Sequence, residues 1–319
     1  MRTITCLILS AAMAFGAGEG LRVEGPRIGF VAQEGQVRPV LGIPGSAWTG
    51  PPAWSADHLR DLAFSPEGSW AVALDAVAKQ PVIVRDLAGA PVVQPFVELT
   101  GATRLALSPS GTAAAVLYGG HEKLVVASGL PGAPQLWEFD LAGLGVEWLR
   151  LAVSDGGEAV LATILDNGQY WVAGIRREGG FRKLYAAGGG AAAAFLPGKV
   201  AAVLADTEKS LVYVLPGLES APRLIATGQD GVRRPVEVAA SRDGRRAVVV
   251  HEGGASATVL GLEDTVAAQV ECGCKMESVQ RMNGNALFRL TDAGTGTIWL
   301  LDADSAPPGV LFVPAGGAR

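Results

Sequence analysis

Histidine is scarce in this sequence, and so are the motifs of familiar enzyme chemistry. Three histidines in 319 residues are too few for a zinc site that needs several imidazole ligands. The chain has no Gly-x-Ser-x-Gly nucleophile elbow, no His-Glu-x-x-His pair and no Gly-x-x-x-x-Gly-Lys phosphate loop. The residue patterns therefore assign no catalytic residue.

Charge is also sparse and unpatterned. Only 18% of the residues are charged, the net charge is -5, and the lysines and arginines form no basic stripe, so the sequence excludes a nucleic-acid footprint. The chain is instead 49% hydrophobic and contains 43 glycines. This composition suits buried strands joined by tight turns and argues against disorder.

A strand-turn-strand pattern recurs along the chain. Its clearest copy spans residues 105–117, where Ser108-Pro109-Ser110-Gly111 separates two apolar segments. The turn serine can bond its own backbone and the glycine can take a positive φ, so each copy predicts a β-hairpin. The other copies close on the glycines Gly68, Gly157, Gly198, Gly244 and Gly284, at intervals of 40 to 46 residues.

An interval of this length, built from short strands, is typical of propeller blades. Two further strands can be recognised within a period, as at residues 81–85 and 135–139. The sequence therefore predicts an all-β fold, a β-propeller of four-stranded antiparallel blades. We expect one domain over residues 18–319, with repeats from about 59 to 313, because each blade buries its face against the next.

The number of blades is left open between two values. Six inner hairpins favour six blades. An additional N-terminal hairpin over residues 28–41 resembles the third and fourth strands of a blade, and the last repeat already has four candidate strands. Seven blades is therefore the close alternative.

Residues 1–17 have the pattern of a secretory signal peptide. Arg2 supplies the positive start, residues 4–15 the apolar segment, and Ala12-Met13-Ala14 a small-residue cleavage pattern. The apolar segment is too short for a permanent membrane span. We expect a secreted or periplasmic protein with no membrane span once the signal is cleaved.

The inner turns also carry a family resemblance. Ser65-Pro66-Glu67-Gly68 and its counterparts at residues 108–111, 154–157 and 241–244 resemble the Ser-Pro-Asp-Gly turns of bacterial secreted and periplasmic WD-repeat-like propellers. The Tol-system propeller and the lactonase-like propellers belong to that group. The resemblance implies the fold, whereas the chain lacks the Trp-Asp dipeptide of true WD repeats, and no family active-site residue can be carried over.

Polar residues collect at the turns between second and third strands, on the face opposite the inner turns. Two interpretations compete: these are ordinary hairpin-turn residues, or they converge at the channel mouth to hold a cation or polar ligand. A hard cation such as Ca²⁺ would suit carboxylates, and no other cofactor is predicted. The candidate ligand-binding residues are Asp75, His121, Glu122, Asp166, Asp206, His251, Glu252 and Asp292.

Cys272 and Cys274 are the two cysteines outside the predicted signal. An exported protein favours their pairing, although a disulfide across one residue closes a very short loop. Free or mixed thiols and a soft-metal site are the alternatives.

Taken together, these features favour an exported binding or protein-interaction scaffold. Its partner would be an envelope or extracellular protein or a small polar ligand. The alternative is a lactonase-like propeller hydrolase that uses carboxylates at the channel mouth.

Overall fold

Seven antiparallel sheets follow one another along the chain. The computed structural model describes residues 25–119, 122–264, 266–292 and 297–314. The predicted signal peptide, residues 1–17, and the candidate ligand His121 lie outside the described residues. The all-β propeller prediction is confirmed. The blade count is seven, the predicted alternative, rather than the preferred six.

The first sheet is narrower than the others. It contains β1 (Arg27–Gln33), β2 (Gln36–Leu41), β3 (Trp48–Thr49) and β4 (Trp54–Ser55). β3 and β4 pair with opposite ends of β2, so the sheet is three strands wide. Residues 51–52 between them are both proline, which has no backbone N–H to donate to a sheet.

The other six sheets each contain four strands in chain order, from the channel outwards. Those of the second to fourth blades are β5 (Leu59–Phe64), β6 (Trp70–Asp75), β7 (Gln80–Arg85), β8 (Val92–Pro95), β9 (Arg104–Leu107), β10 (Ala113–Tyr118), β11 (Lys123–Ser128), β12 (Gln135–Asp140), β13 (Glu147–Val153), β14 (Ala159–Asp166), β15 (Gln169–Arg176) and β16 (Gly180–Ala187). Those of the fifth to seventh blades are β17 (Ala191–Phe195), β18 (Ala202–Asp206), β19 (Leu211–Leu215), β20 (Arg223–Ala226), β21 (Pro235–Ala240), β22 (Arg246–His251), β23 (Ser256–Gly261), β24 (Ala267–Glu271), β25 (Met276–Arg281), β26 (Leu287–Asp292), β27 (Ile298–Asp302) and β28 (Gly309–Val313).

Burial explains which strands are most apolar. The second strand of the third blade, β10, is buried along its whole length, and the third strand, β11, is buried except at its ends. The fourth strand of the second blade, β8, is exposed throughout. Apolar clusters lie between every pair of adjacent blades, including the seventh and the first. Each fully buried Val or Leu in them contributes about 1.5–3 kcal/mol relative to an exposed side chain.

The serine of each well-preserved inner turn has a specific structural role. Ser108 is buried, and its Oγ accepts a hydrogen bond from the backbone N of Ala113 at 3.0 Å. Ser154 and Ser241 accept the equivalent bonds from Ala159 and Arg246. The turn glycines take positive φ values, 83° at position 111. The hydroxyl thus closes the base of the hairpin where water is excluded.

Within the described residues, the first blade joins the circle without a channel-lining strand. The backbone N of Asn283, in the inner turn of the seventh blade, donates to Ile28 O at 3.0 Å, and Gly68 of the second blade packs on Gly29. β1 therefore begins at the face of the inner turns, as second strands do. The hairpin at residues 28–41 supplies second and third strands, not the third and fourth that its sequence suggested.

Two faces of the disc follow from this topology. The inner-turn face carries the turns between first and second strands, residues 65–68, 108–111, 154–157, 196–200, 241–244 and 282–285. The link face carries the turns between second and third strands and the links between blades. In the described part of the chain, no helix is both long and apolar enough to cross a membrane.

Candidate functional site

Most of the described candidate residues on the link face are held by groups close to them, in their own blade or the adjoining link. Asp75 Oδ1 accepts the backbone N–H groups of Val77 and Ala78, both at 2.8 Å, which is the bonding of an ordinary hairpin turn. Asp166 accepts from Asn167 Nδ2 at 2.9 Å and forms an ion pair with a neighbouring lysine. These carboxylates stabilise the turns in which they lie.

The same holds for the remaining turns of this face. Glu122 has a positive φ of 46° in the hairpin between β10 and β11. Glu252 forms an ion pair with Arg234 of the preceding link. Asp292 ends β26, and its side chain lies outside the part that the structure describes.

Asp206 is the most enclosed of the candidates, with 1% of its surface exposed. It accepts hydrogen bonds from the Tyr185 hydroxyl at 2.8 Å, from Gly188 N at 3.0 Å and from Lys209 N at 2.9 Å. Burial, together with the Tyr213 and Asp206 hydrogen bonds, raises the pKa of Tyr185 above its usual range. This network ties the fourth blade to the fifth.

His251 is also buried, with 2% of its surface exposed. Its Nδ1 lies 3.0 Å from Ser256 Oγ and its Nε2 lies 3.1 Å from Thr258 Oγ1, so both ring nitrogens are engaged. Burial, and to a lesser degree the charge of Arg233, lowers its pKa to about 4. The imidazole is therefore neutral at pH 7.

The link-face candidates that the structure describes form no common metal site. Within the described ranges, no group of three or more His, Cys, Asp or Glu side chains is placed to hold a metal ion. The ligand site predicted on this face, and the Ca²⁺ that it would bind, therefore remain predictions.

The two cysteines are joined in the structure. Cys272 and Cys274 form a disulfide with their Cα atoms 5.1 Å apart. Both lie in the apolar cluster between the sixth and seventh blades, beside Met276. The backbone N of Cys272 donates to Ala255 O at 2.7 Å, which fixes this link against the turn of the sixth blade.

Polar groups do converge in the central channel. The first strands of the second to seventh blades line a channel cavity of about 510 Å³, whereas no described residue of the first blade lines it. A second cavity of about 460 Å³ lies towards the link face and a third of about 460 Å³ opens between the inner turns. These volumes are in the range of small-ligand sites.

A charged layer surrounds the cavity on the link-face side. It contains Asp61, Arg104, Arg150 and Glu237. Three of these residues lie at irregularities in the pairing of their strands. Asp61 lies within a register shift of β5, Arg150 directly follows one in β13, and Glu237 directly follows one in β21. Such β-bulges turn side chains out of the regular alternation of a strand, and here they direct charged groups into the channel.

Arg150 and Glu237 form an ion pair across this layer, from the fourth blade to the sixth. Arg150 Nη1 lies 2.8 Å from Glu237 Oε2 and donates to Val236 O at 2.7 Å. Burial nevertheless raises the pKa of Glu237, with the Arg150 cation acting in the opposite direction. Arg104 donates to Trp148 O at 3.1 Å.

The rim of the channel on the inner-turn face is cross-linked between blades. Asp155 of the fourth blade accepts from Ser110 N of the third at 2.6 Å and from Gly198 N of the fifth at 2.7 Å. Asp243 of the sixth blade and Asn285 of the seventh are joined by two hydrogen bonds of 3.1 Å. The rim is thus preorganised.

The turn patterns do not reveal the channel residues, because these residues lie within strands. One sequence feature could have indicated them, namely charged residues such as Asp61 and Arg150 within first strands that are otherwise apolar. The bulges that aim them depend on cross-strand register, which a single strand does not reveal.

No protein-family model matches the chain, and no curated protein matches its sequence. Solved structures do match its fold. A functionally unknown protein from Desulfotomaculum acetoxidans DSM 771 is 13% identical with a TM-score of 0.59, covering 90% of this chain and 100% of that one.

Two further structures define the class. The WD40 repeats of RRP9 are 14% identical with a TM-score of 0.58, covering 82% of each chain. The Myceliophteria thermophila Cps50 (Swd1) β-propeller domain is 11% identical with a TM-score of 0.55, covering 86% of this chain and 96% of that one. The chain therefore has a WD40-like β-propeller fold. At these identities the similarity concerns the fold alone.

Proposed function

We propose that this propeller is an exported scaffold that binds a partner protein on its inner-turn face. The observation that carries the proposal is the preorganised rim, in which Asp155 links three blades and Asp243 links two. A rim that is already ordered loses little conformational entropy on binding, so more of the contact energy becomes affinity.

Arg242 gives this face a group free to meet a partner. Its side chain is exposed and makes no hydrogen bond or ion pair with any residue in the described ranges, while its backbone N is fixed to Asn285 O at 2.7 Å. Arginine is enriched at protein interfaces, where its planar guanidinium recognises carboxylates. We therefore expect the partner to present an acidic patch.

The fold class supports a protein partner. WD40-type propellers are structural neighbours of this chain and are consistent with a protein-interaction scaffold. Export is supported by the signal-like pattern of residues 1–17. The partner would then be an envelope or extracellular protein.

The proposal is tested by charge reversal on each face. The wild-type chain, Arg242→Glu and the control Arg233→Glu, which changes an exposed arginine of the link face, are immobilised and exposed to the envelope fraction of the source cell. Captured proteins are identified by mass spectrometry, and affinities are then measured with the purified partner.

We expect Arg242→Glu to lose a partner that the wild type and Arg233→Glu both bind, because like charges across an interface are strongly unfavourable. A partner that survives Arg242→Glu and is lost with Arg233→Glu would place binding on the link face and refute the proposal.

One observation favours the alternative of a lactonase-like hydrolase. Glu237 lies in a channel cavity and burial raises its pKa, as a general acid or base requires. The test is turnover of a lactone panel by the wild type and by Glu237→Gln. Turnover abolished by Glu237→Gln would support hydrolysis, and no turnover by the wild type would remove it.

A further inference from the structure

The seventh blade departs from the other repeats at three positions that line the channel. The six inner turns can be aligned by one backbone hydrogen bond, which joins each turn's first residue to the residue five positions later, as from Ser108 N to Ala113 O and from Met282 N to Leu287 O. Equivalent positions of different blades are therefore known from the structure.

At each of these positions the second to sixth blades carry only apolar residues. The first residue of each inner turn serves as the reference. Two residues before it, where the seventh blade has Gln280, the other five blades have Ala63, Ala106, Ala152, Ala194 and Ala239. One residue before it, where the seventh blade has Arg281, they have Phe64, Leu107, Val153, Phe195 and Ala240. Seven residues after it, where the seventh blade has Arg289, they have Val72, Ala115, Leu161, Val203 and Val248.

Arg281 crosses the mouth of the channel. It lines both the cavity between the inner turns and the channel cavity, and its Nη2 donates to Pro109 O of the third blade. Its Nη1 is buried and has no hydrogen-bond partner among the described residues. Burial, followed by the Arg242 cation, lowers the pKa of Arg281.

Arg289 lies deeper, on β26. Its Nη2 donates to Gln280 Oε1 at 3.0 Å, and Gln280 Nε2 in turn donates to Phe64 O at 3.4 Å. Its Nε is buried without a partner in the described part of the chain, and burial lowers its pKa to about 10, so the group is still a cation at pH 7.

Neither arginine forms an ion pair with the described carboxylates nearby, although the charges of Asp155 and Glu67 partly offset the lowering of the pKa of Arg281. None of the ion pairs within the described ranges includes Arg281 or Arg289. Of the acids at the mouth, Asp155 uses both oxygens on backbone N–H groups, and Glu67 Oε1 accepts the Trp70 indole N–H at 3.1 Å. A buried guanidinium without a directly paired carboxylate is costly, and hydrogen-bond donors left unpaired add to that cost.

We propose that the channel behind the inner turns binds a small anionic solute between Arg281 and Arg289, with Arg242 at the entrance. Among the described residues, the cations that line the channel cavity and the cavity between the inner turns are these three arginines. Guanidinium groups bind carboxylate and phosphate oxygens in pairs of parallel hydrogen bonds. A cavity of about 510 Å³ accepts a small carboxylate- or phosphate-bearing molecule.

The experiment titrates inorganic phosphate and, separately, succinate into the purified protein by calorimetry, with sodium chloride of matched ionic strength as the reference. The two anions distinguish a phosphate site from a carboxylate site. The variants are Arg281→Gln and Arg289→Met, and the control is Arg104→Gln, which changes an arginine at the other end of the same channel.

We expect the wild type to bind at least one of the two anions with a stoichiometry of one. Each variant should weaken binding by about tenfold or more, because each removes a charge-assisted hydrogen-bond donor. Arg104→Gln should change the affinity by less than about twofold.

Thermal melting separates this role from a structural one. If the arginines serve binding, Arg289→Met should melt at the same or a higher temperature than the wild type in anion-free buffer, because it removes an unpaired buried charge. Binding of neither anion by the wild type, unchanged binding in both variants, or a marked loss of stability in Arg289→Met with binding retained would overturn the proposal.

Discussion

Replacing Asp155 by alanine tests how the inner-turn rim is held together. Its carboxylate accepts one bond of 2.6 Å from the third blade and one of 2.7 Å from the fifth. Hydrogen bonds to a charged group contribute about 1.5–3 kcal/mol each, which sets an upper limit of about 6 kcal/mol. Because Asp155 is half-buried and water replaces part of the bonding, we expect a loss of about 2–4 kcal/mol.

The assay is urea unfolding followed by tryptophan fluorescence at pH 7. Asp155→Asn should lower the free energy of unfolding by about half as much as Asp155→Ala does. The amide oxygen can still accept one of the two hydrogen bonds, but without the negative charge. The control is Glu158→Ala, which removes an exposed acid from the same hairpin. If Asp155→Ala and Glu158→Ala unfold at the same urea concentration, the carboxylate does not join the blades and the reasoning is refuted.

Three further predictions concern stability and chemistry elsewhere. Ser154→Ala should cost about 1–3 kcal/mol by leaving Ala159 N without its side-chain acceptor in a buried turn, whereas Ser46→Ala in an exposed loop should be neutral in the same unfolding assay. The pKa of His251 is about 4 in the folded protein against 6.5 when unperturbed, so only the unfolded chain takes up a proton between these values and stability falls as the pH drops below about 6.5. Thermal melting from pH 7 to pH 4 should show that the wild type loses up to about 3 kcal/mol of stability. The variant His251→Gln should not show this loss, whereas the control His58→Gln, at an exposed site, should show it as the wild type does. Equal curves for all three proteins would refute this role of His251. The disulfide predicts that native protein resists alkylation at Cys272 and Cys274 until it is reduced, and mass spectrometry that finds alkylated native protein would contradict it.

The repeat made the fold predictable from the sequence. Ser108 and Gly111 mark a turn whose chemistry demands a hydrogen-bonding side chain and a positive φ, and five other hairpins share its spacing. The first blade was harder to predict, because its strands β1 and β2 are not preceded by an inner turn in the described residues, and β3 and β4 are two residues each. Their blade is completed by contacts with neighbours 250 or more residues away, such as that between Ile28 and Asn283.

The candidate site was less predictable, for a different physical reason. Asp75 and Asp206 attracted attention as turn carboxylates, yet their oxygens are taken by backbone N–H groups of the same turns and links. Arg281 and Arg289 lie in strands, and only the alignment of blades by their closing hydrogen bonds shows that each stands where the other repeats are apolar. That comparison needs the register between strands, which local sequence does not contain.

The most direct test of the arginine site is a crystal structure of the wild-type protein grown with selenate, a tetrahedral anion whose position is visible by anomalous scattering. We expect an anomalous peak inside the mouth, within hydrogen-bond distance of Arg281 Nη1 or Arg289 Nε, two buried donors that have no partner among the described residues. An empty mouth at saturating selenate, or selenate bound only on the link face, would contradict it.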